Sequence, residues 1–170
     1  MSKRRTLIAA CVIVSAGIGT GPALAQSVKQ IGTFHEWSAY SASEGTDAIC
    51  FAMAKPDDVT PSPDDYPQGY LYLSRRPSQN ISDEINLVAG FTFQPDSTVT
   101  LNVAGQNYQL FTQNDAAWLQ DPTQNDNLAG MMRAGTSVVI EGTSAKGIKV
   151  KETFSLSGAT AASKAVSTGC

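Results

Sequence analysis

Through most of the chain after residue 30, apolar residues come in short runs separated by turn-forming residues. Most of these runs alternate, or are too short for a helix. Residues 33–40 carry Phe34, Trp37 and Tyr40, and residues 48–54 set Ile49, Cys50, Phe51 and Met53 in a short, largely buried run. Residues 69–75 alternate, with Tyr70 and Tyr72 on one face and Leu71 and Leu73 on the other. Further strand patterns cover 84–93, 98–103, 106–112, 137–141 and 149–156. Ala104-Gly105 makes a hairpin between two of them, and residues 143–147 a turn between the last two. Residues 55–67, with four prolines and four aspartates, predict a surface loop. Two short helices interrupt the strands. Asp126 caps the first, at 127–134, with Gly135 ending it; the second runs over 159–166 after Ser157-Gly158. About eight strands and two short helices predict a mainly β sandwich or barrel rather than a βαβ fold. Its candidate core residues are Trp37, Phe51, Phe91, Trp118, Phe154 and Leu156.

Residues 1–25 break this pattern. Lys3, Arg4 and Arg5 precede an uncharged, mostly apolar stretch over 6–19, and Gly21-Pro22 then leads to Ala23-Leu24-Ala25. That order predicts a secretory signal cleaved after Ala25, with residues 26–170 as a single working domain. The apolar run is shorter than the roughly 20 residues a spanning helix needs. Ile8-Ala9-Ala10 before Cys11 has a lipobox-like order, but too little apolar chain precedes Cys11, and an apolar run rather than a polar linker follows it.

Export changes the charge and the cysteine inventory. The whole chain has 12 Lys and Arg against 15 Asp and Glu; losing three basic residues takes the formal net charge from −3 to about −6. An acidic domain lacks the basic footprint that nucleic acid or anionic lipid requires. No second apolar stretch is long enough to span a membrane. Cys11 leaves with the signal, and the remaining Cys50 and Cys170 most simply form one internal disulfide in an oxidising compartment. The alternatives are two free buried thiols, or an intermolecular bond through Cys170.

The chemical inventory is thin, and no catalytic, cofactor-binding or metal-binding residues are assigned. His35 is the only histidine, it sits in a strand-like run, and no nucleophile-elbow sequence accompanies it. One histidine does not make a zinc site. Asp57, Asp58, Asp64 and Asp65, and separately residues 121–127, lack the ligand spacing of an EF-hand and read as solvated loops. Gly142-Thr143-Ser144-Ala145-Lys146-Gly147 lies between strands and has the wrong spacing for a P-loop. Arg75-Arg76 reads as a solvated strand end, and Asn80-Ile81-Ser82 matches a glycosylation acceptor that is common by chance.

Taken in order, several segments resemble the invasion-associated locus B family of bacterial envelope proteins. They are Trp37-Ser38-Ala39-Tyr40, then Ile49-Cys50-Phe51-Ala52 with Lys55-Pro56, and residues 70–77 ending in Arg76-Pro77. Val88-Ala89-Gly90-Phe91, Asp115-Ala116-Ala117-Trp118 and Met131-Met132-Arg133-Ala134-Gly135 follow. Residues 142–147, Phe154-Ser155-Leu156-Ser157-Gly158 and Cys170 complete the set. The resemblance implies an immunoglobulin-like β-sandwich in the cell envelope, periplasmic, secreted or associated with the outer envelope. It implies a non-catalytic interaction module with an unknown protein or envelope partner. The family takes its name from a factor that promotes entry of a bacterial pathogen into red blood cells. No catalytic residues come with the resemblance. Its matching residues look like scaffold, with Gly90 a strand irregularity and Gly135 and Gly147 turn positions. The alternatives are a periplasmic small-ligand-binding or inhibitor protein, and a carboxylate-based hydrolase.

Overall fold

Alternating strands bury one face each, and here they do so by joining edge to edge into one sheet. In a computed structural model, residues 27–44, 47–62 and 65–170 are described. The strands are β1 (Ser27–Phe34), β2 (Trp37–Glu44), β3 (Asp47–Ala54), β4 (Asp58–Thr60), β5 (Tyr70–Arg76) and β6 (Ile81–Val88). They continue as β7 (Thr98–Val103), β8 (Gln106–Gln113), β9 (Ala116–Leu119), β10 (Ser137–Thr143) and β11 (Lys149–Ser155). Helix α1 (Asn125–Ala134) precedes β10, and helix α2 (Ala159–Gly169) follows β11. The sheet order is β1-β2-β3-β5-β6-β9-β8-β7-β10-β11-β4. Every pairing is antiparallel.

The sheet folds over one core. The turn between β1 and β2 reaches the end of β11, where the Glu36 backbone N–H donates to the Ser157 carbonyl at 3.3 Å. The Trp37 indole N–H donates to the Ser155 carbonyl at 3.0 Å. Burying that N–H against a carbonyl is what lets a tryptophan stand in a core. Phe91, Phe154 and Leu156 are buried with it. This mainly β architecture is consistent with the expected sandwich, although the described residues form eleven strands rather than about eight.

The differences have local causes. The run 33–40 is a hairpin rather than one strand, because His35 takes a left-handed conformation (φ 52°) and reverses the chain. The Pro/Asp loop contains the three-residue strand β4, which pairs with β11 while Val59 packs against the core. Strand β6 begins at Ile81 and stops at Val88, before the irregular segment carrying Phe91 and Phe93. Strand β9 has only four residues, too few for a readable alternation. Asp121, not Asp126, does the capping: its Oδ1 accepts from the Thr123 backbone N–H at 3.0 Å, opening a 3₁₀ turn that runs into α1. Strand β1 carries a bulge, its register against β2 shifting between Gln30 and Gly32.

Two expected core residues are not in the core. In β3 the buried side chains are Cys50, Ala52 and Ala54, so Phe51 points out of the opposite face. In β9 Ala117 and Leu119 are buried, which turns Trp118 outward against Phe111. Helix α2 explains the small residues of β3. It buries Ala159, Ala162, Ser163 and Val166 and lies across β1, β2 and β3, close enough that its end is bonded to the sheet. Cys50 and Cys170 form a disulfide, their Cα atoms 5.7 Å apart and 120 positions apart in the chain. Gly158 opens α2 at φ 94°, and a Cβ there would collide with the Phe34 carbonyl. The expected signal segment 1–25 lies outside the described residues. Among the described residues no helix is long and apolar enough to cross a membrane.

Candidate functional site

Strand β11 reads Lys149-Val150-Lys151-Glu152-Thr153-Phe154, and its alternation turns Val150, Glu152 and Phe154 inward. Glu152 is 3% exposed. Its carboxylate has no hydrogen-bond partner among the described residues, and burial pushes its carboxyl up to about 7. Residues 65–69 form a strap over it, and Gly69 leaves room for the carboxylate. Gly90 lets the segment after β6 approach the strap, since a Cβ there would collide with the Pro67 carbonyl.

The strap separates two hollows. On the Glu152 side a cavity of about 220 Å³ is lined by Pro56, Val59, Tyr66, Phe91 and Glu152. On the other side a groove of about 430 Å³ runs over Tyr66, Ala89, Phe91, Asp115 and Lys146. Tyr66 borders both. Its ring lies 5.1 Å from that of Phe91, which in turn meets Phe93 at 5.0 Å. The Tyr66 hydroxyl is buried without a partner among the described residues. Lys146 pairs with the Asp65 carboxylate and places its Nζ 5.7 Å from the centre of the Tyr66 ring. Their shared hydrogen bond raises the Lys146 ammonium and lowers the Asp65 carboxyl.

A second feature occupies the outer face of the sheet. Tyr40 stacks on Phe51 at 5.3 Å, Phe51 meets Tyr72 at 6.0 Å, and Tyr72 meets Tyr70 at 6.1 Å. The pairing register carries this line from Tyr72 through Asn86 to Trp118, which stacks on Phe111 at 5.7 Å. Phe111 is 45% exposed. Helix α2 lies on the Cys50 side of the sheet and does not cover this face, whose other rings are half-buried. A hollow of about 260 Å³ adjoins the strip between Glu84, Phe111, Trp118 and Pro122.

The candidates raised from the sequence mostly serve the scaffold. His35, Asp57 and Asp58 are exposed and are not brought together with other candidate groups. Asp64 lies outside the described residues. Arg75 donates to the Ser82 carbonyl at 3.3 Å, and Arg76 pairs with Glu84 at 2.7 Å. Within 121–127, Asp121 caps, and Asn127 accepts from the Tyr108 hydroxyl at 2.5 Å. Residues 142–147 turn through Gly147 at φ 77°, and Asn80 ends a 3₁₀ turn at φ 56°. Among the described residues no three metal-ligating side chains gather.

Residues 37–167 match the family model of the invasion associated locus B (IalB) protein. The chain belongs to the IalB family. No curated protein and no solved structure matches it significantly. The IalB match spans both the aromatic face and Glu152, while β1 and Cys170 fall outside it. Residues shared with the IalB pattern do structural work here, as Trp37 and Gly90 show. Sequence reasoning passed over Glu152, yet a signal was present: it lies midway between Val150 and Phe154 in a strand of period two.

Proposed function

We propose that this IalB-family protein is exported to the cell envelope and works there as a non-catalytic binding module. It docks a protein partner through the aromatic face of β2, β3, β5, β8 and β9. One observation carries this reading: six aromatic rings, five of them half-buried and Phe111 exposed, line the sheet face opposite helix α2. Tyr, Trp and Phe are enriched at protein interfaces because they bring large area at low entropic cost. Exposed apolar patches of this kind mark interaction sites. The order of residues 1–25 and the Cys50–Cys170 bond support an oxidising compartment outside the cytoplasm. A contribution to host-cell invasion follows if the partner lies on a host surface.

Crosslinking in the producing cell, followed by fractionation, tests this. The wild type is expected to fractionate with the envelope and give a reproducible protein adduct. The double variant Tyr72→Ser, Trp118→Ser should lose that adduct, and Val28→Ser on β1 should keep it. A protein that stays in the cytosol, or an adduct indifferent to the aromatic changes, overturns the reading.

A further inference from the structure

We infer that the cavity beneath the Tyr66 strap is a binding site for a small organic cation, a protonated or quaternary amine, with Glu152 as its counter-ion. A carboxylate largely removed from water, with no hydrogen bond or ion pair from the described residues, costs free energy, so proteins pair such groups or replace them. Nothing in the packing of β11 asks for one: its other inward positions, Val150 and Phe154, are apolar. The fold nonetheless makes room for the acid at Gly69 and leaves about 220 Å³ beside it. That is several times the ~30 Å³ share of one water molecule and suits an ammonium head bearing a few carbons.

The walls fit the same charge. Tyr66 and Phe91 offer aromatic surface, which attracts cations through the ring quadrupole. The Tyr66 hydroxyl is a free acceptor among the described residues. The chain's own Lys146 ammonium already rests near the Tyr66 ring. A single carboxylate matches a monovalent cation; among the described residues no further acidic side chain lines this cavity.

Because burial holds Glu152 near half-ionisation at neutral pH, the cation and the proton compete for it. Among the described residues, few other charged groups face this region. Asp65 and Lys146 neutralise each other, and Asp115 lines the adjoining groove. Asp57, Asp58, Glu141 and Lys151 are exposed on the elements packed around β11. Raising the pH from 6 to 8 takes the carboxyl from mostly protonated to mostly ionised, so affinity should rise roughly tenfold.

The test is a backbone-amide NMR titration of the purified exported protein with ethanolamine and with choline, at pH 6 and pH 8. Ethylene glycol is the uncharged control. One amine is expected to shift Tyr66, Gly69, Gly90 and Phe91, to bind about tenfold tighter at pH 8, and to lose binding in Glu152→Gln. No shift up to about 50 mM of either amine, equal response to ethylene glycol, or unchanged binding by Glu152→Gln overturns the proposal. If that variant does not fold, the carboxyl-carbon shift of wild-type Glu152 decides. It must move toward the ionised value when the amine binds at pH 6, and an unmoved signal overturns the site.

Discussion

Gly69 and Glu152 are fitted to each other: a Cβ on residue 69 would stand 2.7 Å from Glu152 Oε1. The same added carbon would lie 3.2 Å from the Gly90 backbone nitrogen. The strap thus crosses the buried acid so closely that a side chain at 69 would displace the tip of Glu152. Gly69→Ala is expected to cost about 1–3 kcal/mol, the usual range for overpacking. Glu152→Ala in the same chain should recover part of that loss, and a double-mutant cycle by urea denaturation measures the coupling. Strict additivity would show that the two positions do not share the space.

Stability should fall as pH rises across the Glu152 titration. The folded carboxyl titrates near 7 and the unfolded one near the ordinary 4.5. Between those values the folded state binds more protons than the unfolded one. The stabilising contribution is therefore complete below about pH 4.5 and lost by the time pH passes 7, a fall of about 3 kcal/mol at most. Glu152→Gln should flatten that stretch of the stability curve, and denaturant melts at pH 5 and pH 8 measure the difference.

The disulfide fastens α2 to β3 across 120 positions. Chain-entropy reasoning credits a loop of that size with about 4–5 kcal/mol. Cys50→Ser, or reductant added to the wild type, should lower the melting temperature clearly. A melt unchanged by reductant would show that the bridge contributes nothing to the fold.

The two tryptophans should respond in opposite ways to truncation. Trp37 is 1% exposed and bonded to Ser155, so Trp37→Ala should cost about 3–5 kcal/mol. Trp118 is half-buried on the outer face, and Trp118→Ser should cost far less while weakening partner capture. Equal losses of stability would put Trp118 back in the core.

The strand and helix pattern was largely legible, because period-two alternation and turn residues are local signals. Which face of a strand turns inward was not. In β3 both faces are apolar: Ile49, Phe51 and Met53 on one, Cys50, Ala52 and Ala54 on the other. Size alone favoured Phe51 for the core. The decision belongs to α2, which packs on β3 and is bonded through Cys170 to Cys50, on the face that carries the small side chains. Strand β4 was hidden for a similar reason, since its partner β11 lies far along the chain. The Glu152 cavity needs residues from the loop after β3, the strap, the segment after β6 and β11, and no local pattern joins them. The inward register of Glu152 itself was readable from Val150 and Phe154.

The bulge in β1 bears on how the molecule avoids its own kind. Among the described residues β1 has no neighbour on its outer side, and an open strand of 8 residues is a template for another chain. The register break between Gln30 and Gly32 interrupts that template. The bulged Ile31 side chain reaches toward Gly169 at the end of α2. A second molecule adding edge to edge would find two short stretches out of step. Each is shorter than the six or seven residues that seed a fibril.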